Sequence, residues 1–453
     1  MLTEAIDAAF ASIEETIRNC PIYPSVSPDE IRQHLCDRYS FAHAASLEEV
    51  TADVEAMLRR WQVHVTHPRY FGLFNPSVTV ASVVADTLVA LYNPQLAAWR
   101  TSPAANEIER HTLQWVAGKL GLPAGTFASF TSGGAEANLT AVLVALTHAF
   151  PEYSERGVRS LSGSPVLYLS EEAHHSFTKI AHMTGLGRNV LRAVSADSDL
   201  KLDLAALRRQ VETDRKNGHL PFMVVGTCGT TAAGVIDPLP ALHAYCKSEG
   251  LWLHVDAAWG GAAALSPALR PHVAGIELAD SITCDAHKWF SVPMACGMFF
   301  CRHQAAVLST FHAQTAYMPL QHSDDVLDSY TSTVQWSRRF IGLKLFMSLA
   351  HNGSSGYAAM IEHQARMGDL LRERLAQSGW QIVNRTPLPV VCFTRPGLDI
   401  PSLLVRLKHE QIAWMSETRC GGQPVLRACV TSFKTSEEDV LSVVDGLNRI
   451  EAR

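Results

Sequence analysis

Five short apolar runs recur between segments of helical periodicity: "PVLYLS" from residue 165, "FMVVGT" from 222, "LWLHVDAA" from 251, "SITCDAH" from 281 and "CGMFFC" from 296. A strand built from such a run offers little polar face to water, so it has to be covered on both sides. Alternation with helices then points to an α/β fold, a mainly parallel central sheet flanked by helices. It also brings the carboxyl ends of successive strands to one edge, where open α/β sheets hold their ligands.

The rest of the chain is arranged around this core. Residues 1–66 read as a helical segment: "AIDAAFASIEETI" and "SLEEVTADVEAMLRRW" carry apolar stripes on either side of the Pro-rich link "CPIYPSVSP". Helices with so little core of their own are expected to pack on another domain or on a dimer partner. Residues 67–310 are expected to form the large domain and 334–453 a smaller C-terminal α+β domain. Between them, 311–333 ("FHAQTAYMPLQHSDDVLDSYTST") lose periodicity and read as a long loop, of a length that is often functional. Near the C-terminus, Thr435 and Glu438 have capping-box spacing ahead of an amphipathic helix.

Bulk properties exclude several classes of function. At 453 residues the chain can bury a sizeable core, and its net charge of −6 supplies no basic field for nucleic acid. The longest apolar stretch, "VTVASVVADTLVALY", is interrupted by Thr79, Ser82, Asp86 and Thr87 and falls short of the ~20 residues of a membrane span. Glu4, Asp7, Glu14 and Glu15 occupy the place where an export signal needs basic and then apolar residues. The ten cysteines show no C-x-x-C pair and no framework spacing, so the expectation is reduced thiols in a cytoplasmic protein with no metal site.

Four polar features fall at strand ends. "FTSGGAEANL" places Gly133 and Gly134, then Ala135, directly ahead of a helical pattern; this is either a tight turn or an anion site formed by backbone amides at a helix N-terminus. Asp256, in "HVDAAWGG", is either a helix N-cap or a buried acid facing a cation. Lys288, in "DAHKWF", either snorkels past Trp289 or has a depressed pKa and attacks carbonyls to form a Schiff base. His174 and His175, adjacent in "AHHS", point different ways and make a poor metal pair, whereas one imidazole stacks well on a flat ligand. Together a phosphate turn, an acid for a ring nitrogen, a Schiff-base lysine and a stacking imidazole describe one ligand, pyridoxal 5′-phosphate (PLP).

The motifs "SPAANEIE" at 102, "TSGGAEANL" at 131, "AHHS" at 173, "TCGTTAAGVIDPL" at 227, "HVDAAWGG" at 254, "DAHKW" at 285 and "QWSRRF" at 335 resemble, in order, those of the group II PLP-dependent amino acid decarboxylases. The resemblance runs from His67 almost to the C-terminus, and it implies the type I PLP-dependent transferase fold. It implies decarboxylation of an L-amino acid to the amine and carbon dioxide, with Lys288 holding the cofactor as an internal aldimine. Asp256 would pair with the ring nitrogen, His174 and Ala258 would flank the ring, and Thr231 would help position it. The amides of Gly133, Gly134 and Ala135, with Asp285 and His287, would form the phosphate end, where an acid at 285 is electrostatically odd. Tyr317, on the long loop, would reach the partner's active site in a homodimer and protonate the substrate carbon; a phenylalanine there would instead imply an aldehyde-forming enzyme. Phe71, Leu73, Phe74, Gln95, Ala97 and Arg100 align with the family's side-chain pocket. Arg100 would pair either with a substrate acid or with a structural partner, and Arg338 would lie near the site or in an ion pair. An aldehyde synthase or carbon–carbon lyase on the same scaffold is the competing chemistry.

Overall fold

The computed structural model describes residues 19–313 and 327–451. Two N-terminal helices, α1 (Pro28–Arg38) and α2 (Leu47–Trp61), each start in a capping box, Ser27 with Glu30 and Ser46 with Glu49. They join through Asp53, which accepts from the Tyr39 hydroxyl at 2.5 Å and lies 3.0 Å from His34 Nε2. Neither helix buries a residue, and Phe41 (92% exposed) and Leu47 (81%) face outward. The segment just before them does dock on its own chain. Ile22 is buried, the Tyr23 hydroxyl donates to the Ala413 carbonyl at 3.2 Å, and its ring stacks on Trp414.

The five apolar runs form strands of one sheet. Its members are β1 (Phe127–Thr131), β2 (Pro165–Ser170), β3 (Leu191–Val194), β4 (Leu220–Thr227), β5 (Trp252–Asp256), β6 (Ser281–Asp285) and β7 (Gly297–Cys301). Among the described residues the order is β1-β7-β6-β5-β4-β2-β3. The neighbours from β3 to β6 pair in parallel, while β7 runs antiparallel to both β6 and β1. No helix separates β6 from β7, so the chain turns straight back on itself. The two strands without an apolar run, "FASFT" and "LRAV", lie at the sheet edges.

Helix α3 (Val80–Tyr92) holds the longest apolar stretch, and no helix among the described residues is long and apolar enough to cross a membrane. Helix α4 (Pro103–Lys119) packs on β1, and α5 (Gly134–Ala149) lies across the sheet against β4 to β7. The 35-residue α6 (Leu343–Gln377), kinked at Gly353, leads to an antiparallel sheet of order β10-β11-β9-β8. Its strands are β8 (Gln381–Ile382), β9 (Val390–Thr394), β10 (Ser416–Cys420) and β11 (Gln423–Cys429), and α7 (Glu437–Glu451) packs on α6 beside it. The cap of α7 lies one residue later than expected. Ser436 and Asp439 exchange the capping bonds, while the Thr435 hydroxyl donates to the Pro68 carbonyl at 2.7 Å, joining the two regions.

Two buried acids tie elements together. Glu109 on α4 accepts from Arg338 Nη1 at 2.6 Å and from the Gly342 amide at 2.9 Å, and both side chains are about 4% exposed. Asp237, after β4, accepts from the Leu202 amide at 2.8 Å and the Thr227 amide at 2.7 Å, and burial pushes its pKa up to about 6.

Arg338→Met strands the Glu109 carboxylate without its cation and is expected to destabilise the protein by about 3–5 kcal/mol in denaturant titration; a loss under about 1 kcal/mol would contradict the pairing. For Asp237, the folded protein holds the proton more tightly than the unfolded chain, whose value is 3.8. Its stabilising contribution is therefore fully present below that value and is lost as pH rises through about 6. Wild type should lose up to about 3 kcal/mol from this group across that window, and Asp237→Asn should show a flatter profile.

Candidate active site

Strands β4, β5 and β6 end side by side, and the residues that follow them enclose a cavity of about 310 Å³. Its walls carry Gly133, Gly134 and Ala135 from the start of α5, His174 after β2, Thr231 after β4, Asp256 and Ala258 from β5, and Asp285, His287 and Lys288 from β6. The structure thus brings together all ten residues assigned to the cofactor from the sequence, on five separate segments. Helix α5 opens directly onto this space, so its first amides, which lack intrahelical partners, face the cavity end. A side chain at Gly134 would press within 2.8 Å of Asp285 Oδ2, and one at Gly133 within 3.2 Å of His287, which is why this turn needs glycine.

Asp256 is not a helix cap. Its Oδ2 accepts from Asn138 Nδ2 at 2.9 Å and its Oδ1 from the Ala258 amide at 3.1 Å. Lys288 does not snorkel: its side chain is 23% exposed, and Nζ lies 3.0 Å from Asp285 Oδ2 and 5.8 Å from the Phe74 ring. Burial works against its charge, but the carboxylates of Asp285 and Asp256 outweigh it and hold the ammonium above its ordinary pKa. This reverses the depressed value expected of a nucleophilic lysine, and the reason is the acid three residues before it. Asp285, odd beside a phosphate, is thereby placed as the counter-charge of Lys288; its other oxygen, Oδ1, is buried without a hydrogen-bond partner.

Both imidazoles at the cavity are driven towards the neutral form. Burial lowers the pKa of His174 and of His287, against the opposing pull of the nearby carboxylates. His174 Nδ1 accepts from the Ser176 amide at 3.2 Å and His287 Nδ1 from the Cys296 amide at 3.0 Å, which leaves each ring proton on Nε2.

The expected side-chain pocket is mostly elsewhere. Phe74 lines the cavity, stacked on Trp259 at 4.5 Å. Phe71 is buried in the core of the second sheet, its amide bonded to the Trp414 carbonyl, and Leu73 is half exposed. Gln95 is exposed and bonds the Ala97 amide at 2.8 Å, while buried Ala97 accepts from the Tyr330 amide. Arg100 is exposed on a short turn, and Arg338 is committed to Glu109. None of these six lines the cavity within one chain; for Gln95, Ala97 and Arg100 the reason is that segment 95–101 is braced against residues 328–339 instead. Tyr317 lies outside the described residues.

Sequence reasoning passed over several residues of the cavity: Glu136, Asn138, Thr227, Gly229, Trp259 and Met294. Asn138 was findable, as an amide one helical turn beyond Gly134 on the stretch of helix that leads away from the glycine turn. Arg427 of β11 was not. Its guanidinium bonds the carbonyls of Thr231 (2.8 Å) and Gly72 (2.7 Å) and lies 4.9 Å from the Phe74 ring, so it holds two cavity walls from the second sheet.

These residues suit pyridoxal phosphate on chemical grounds: an amine for its aldehyde, a carboxylate for its ring nitrogen, and a glycine turn with free helix amides for its phosphate. The family model described as the pyridoxal-dependent decarboxylase conserved domain matches residues 28–395. The aromatic-L-amino-acid decarboxylase of Bacillus atrophaeus is 26% identical over 94% of this chain and 90% of its own. The 4-hydroxyphenylacetaldehyde synthase of Rhodiola rosea is 29% identical over 94% and 89%. The crystal structure of Oryza sativa TDC with PLP and tryptamine has the same fold, with a TM-score of 0.92 at 24% identity over 99% of this chain and 97% of that one. With a family model covering most of its length and the matching residues gathered at one cavity, the chain belongs to the pyridoxal-dependent decarboxylase family.

Proposed function

We propose that the protein removes the α-carboxylate of an L-amino acid as carbon dioxide and releases the corresponding amine, with Lys288 as the covalent anchor of PLP. The observation that carries this reading is the convergence of Lys288, Asp256 and the glycine start of α5 on one cavity. When bound, the cofactor supplies an electron sink for the pair released from the Cα–carboxylate bond.

The chain's own groups do the rest. Asp256 presents a carboxylate to the ring nitrogen and keeps it protonated. The amides of Gly133, Gly134 and Ala135 take the phosphate, with the Nε2 proton of His287 nearby. His174 and Ala258 would hold the ring, Thr231 would help position it, and Trp259 with Phe74 would keep water from one wall. Tyr317 holds the proton that replaces the lost carboxylate at the α-carbon. In this reading Tyr317 comes from a partner subunit, and the protein is a homodimer with shared active sites. The outward faces of α1 and α2, with Tyr92 (82% exposed) and Leu91 (59%) on α3, favour such a cover. Most of the ten cysteines are buried free thiols, which favours a reducing cytoplasmic setting. The substrate is assigned only as an L-amino acid.

A screen of amino acids that follows carbon dioxide, amine, aldehyde and peroxide tests the reaction. Wild type should give amine and carbon dioxide in equal amounts, Lys288→Ala should lose about a thousandfold or more in kcat, and Tyr317→Phe should divert product towards aldehyde with peroxide. Aldehyde with peroxide from wild type would overturn the reading in favour of an aldehyde synthase. Light scattering should give twice the chain mass.

A further inference from the structure

The face of the sheet beneath α5 carries a ladder of polar side chains that is closed to water. Along a strand, alternate residues share a face, so His254 and Asp256 of β5 point the same way. The register of β5 with β6 sets Ser281 opposite His254 and Thr283 opposite Asp256. Asn138 of α5 lies over these four. His254 and Thr283 are 0% exposed, Asn138 and Ser281 1%, and Asp256 6%.

The hydrogen bonds among them have one consistent direction. Trp252 Nε1 donates to Ser281 Oγ at 2.9 Å, which leaves the Ser281 hydroxyl proton for His254 Nδ1 at 2.8 Å. With Nδ1 accepting, the ring proton sits on Nε2 and is donated to Asn138 Oδ1 at 3.0 Å. Thr283 Oγ1 donates to the same oxygen at 2.7 Å. The amide can then turn only its NH₂ towards Asp256, whose Oδ2 it meets at 2.9 Å. Reversal of the amide would set a carbonyl oxygen against a carboxylate oxygen in a dry site, at the cost of a lost bond and a repulsion. Burial drives His254 down to about 4 against the pull of Asp256, so the imidazole stays neutral, and the Trp252–Ser281 bond selects the Nε2-protonated tautomer.

We propose that His254 and Asn138 are positioning residues for the decarboxylation, forming with Ser281 and Thr283 a buried relay that fixes the orientation of the Asp256 carboxylate and keeps it an acceptor towards the cofactor ring nitrogen. The proposal rests on the reading that Asp256 faces that nitrogen. Neither residue touches substrate in this scheme. Their effect passes through the amide, which occupies one oxygen of Asp256 while the Ala258 amide occupies the other, leaving the remaining lone pairs directed at the cavity. Outer partners of metal-ligating residues tune affinity or activity by about 10–100-fold, and an effect of that order is expected for Asp256.

The test compares purified wild type with His254→Leu, which removes the donor to Asn138, and His254→Gln, which keeps one at the Nε2 position. Three quantities are read: the dissociation constant of PLP, the visible spectrum of the loaded protein, and kcat separately from KM. His254→Leu is expected to bind PLP about tenfold more weakly, to change the ratio of its visible absorption bands, and to lose about tenfold or more in kcat with KM little changed. His254→Gln is expected to recover most of each. Thr283→Val, which keeps the shape of the site while deleting a second donor to Asn138, serves if His254→Leu does not fold, and should move the same three quantities the same way. A folded His254→Leu or Thr283→Val with wild-type spectrum, PLP affinity and kcat overturns the proposal, as does a loss confined to KM or one that His254→Gln fails to recover. Wild type without a visible band on PLP addition would instead refute the underlying cofactor reading.

Discussion

Adjacent parallel strands β5 and β6 each end in an aspartate that hardly reaches water, and the surrounding structure depends on how those two charges are compensated. An isolated buried carboxylate would take up a proton rather than stay ionised. Here Asp285 is met by the Lys288 ammonium, and Asp256 by a backbone amide and the Asn138 side chain. The glycines at 133 and 134 follow from the same packing, since the start of α5 must come close enough to Asp285 to complete the cavity. In PLP-bound protein the ring nitrogen would bring a positive charge to Asp256 and the phosphate a negative one to the helix start, each to the pole that suits it.

Much of the architecture was legible in the sequence for a simple reason. A strand covered on both faces has to be apolar almost throughout, and five segments were. The two edge strands escaped for different reasons: β3 is only four residues long with a single fully buried position, Val194, and in β1 Ala128 and Ser129 interrupt the apolar run between Phe127 and Phe130 although the strand is largely buried. The antiparallel course of β7 was hidden for another reason. Residue identity in "GMFFC" is the same for either direction, and only the missing helix between β6 and β7 reveals the return.

Among the cavity-lining residues, Asp256, Lys288, His174 and His287 were legible because each is a polar side chain at a place where apolar residues dominate, and the glycine turn because it directly precedes a helical pattern. The positions of Gln95, Ala97 and Arg100 were not legible, since these residues are ordinary in type and their placement depends on how distant segments pack. Within one chain they brace residues 328–339 rather than face the cavity. Burial alone predicts a depressed pKa for Lys288; the attraction of Asp285 and Asp256, together with the contact to Asp285, outweighs the loss of hydration and raises it.

Arg427 belongs to the second sheet, yet it grips the backbone at Thr231 and Gly72 and underlies Phe74. Two walls of the cavity are thus made by the large sheet but held in place from the small one. With PLP in the cavity as proposed, cofactor affinity and the docking of the second sheet would be linked: loosening the sheet would weaken retention, and a bound cofactor would tighten the contact. A truncated chain ending before β8 could keep every residue that touches PLP and still be unable to retain it.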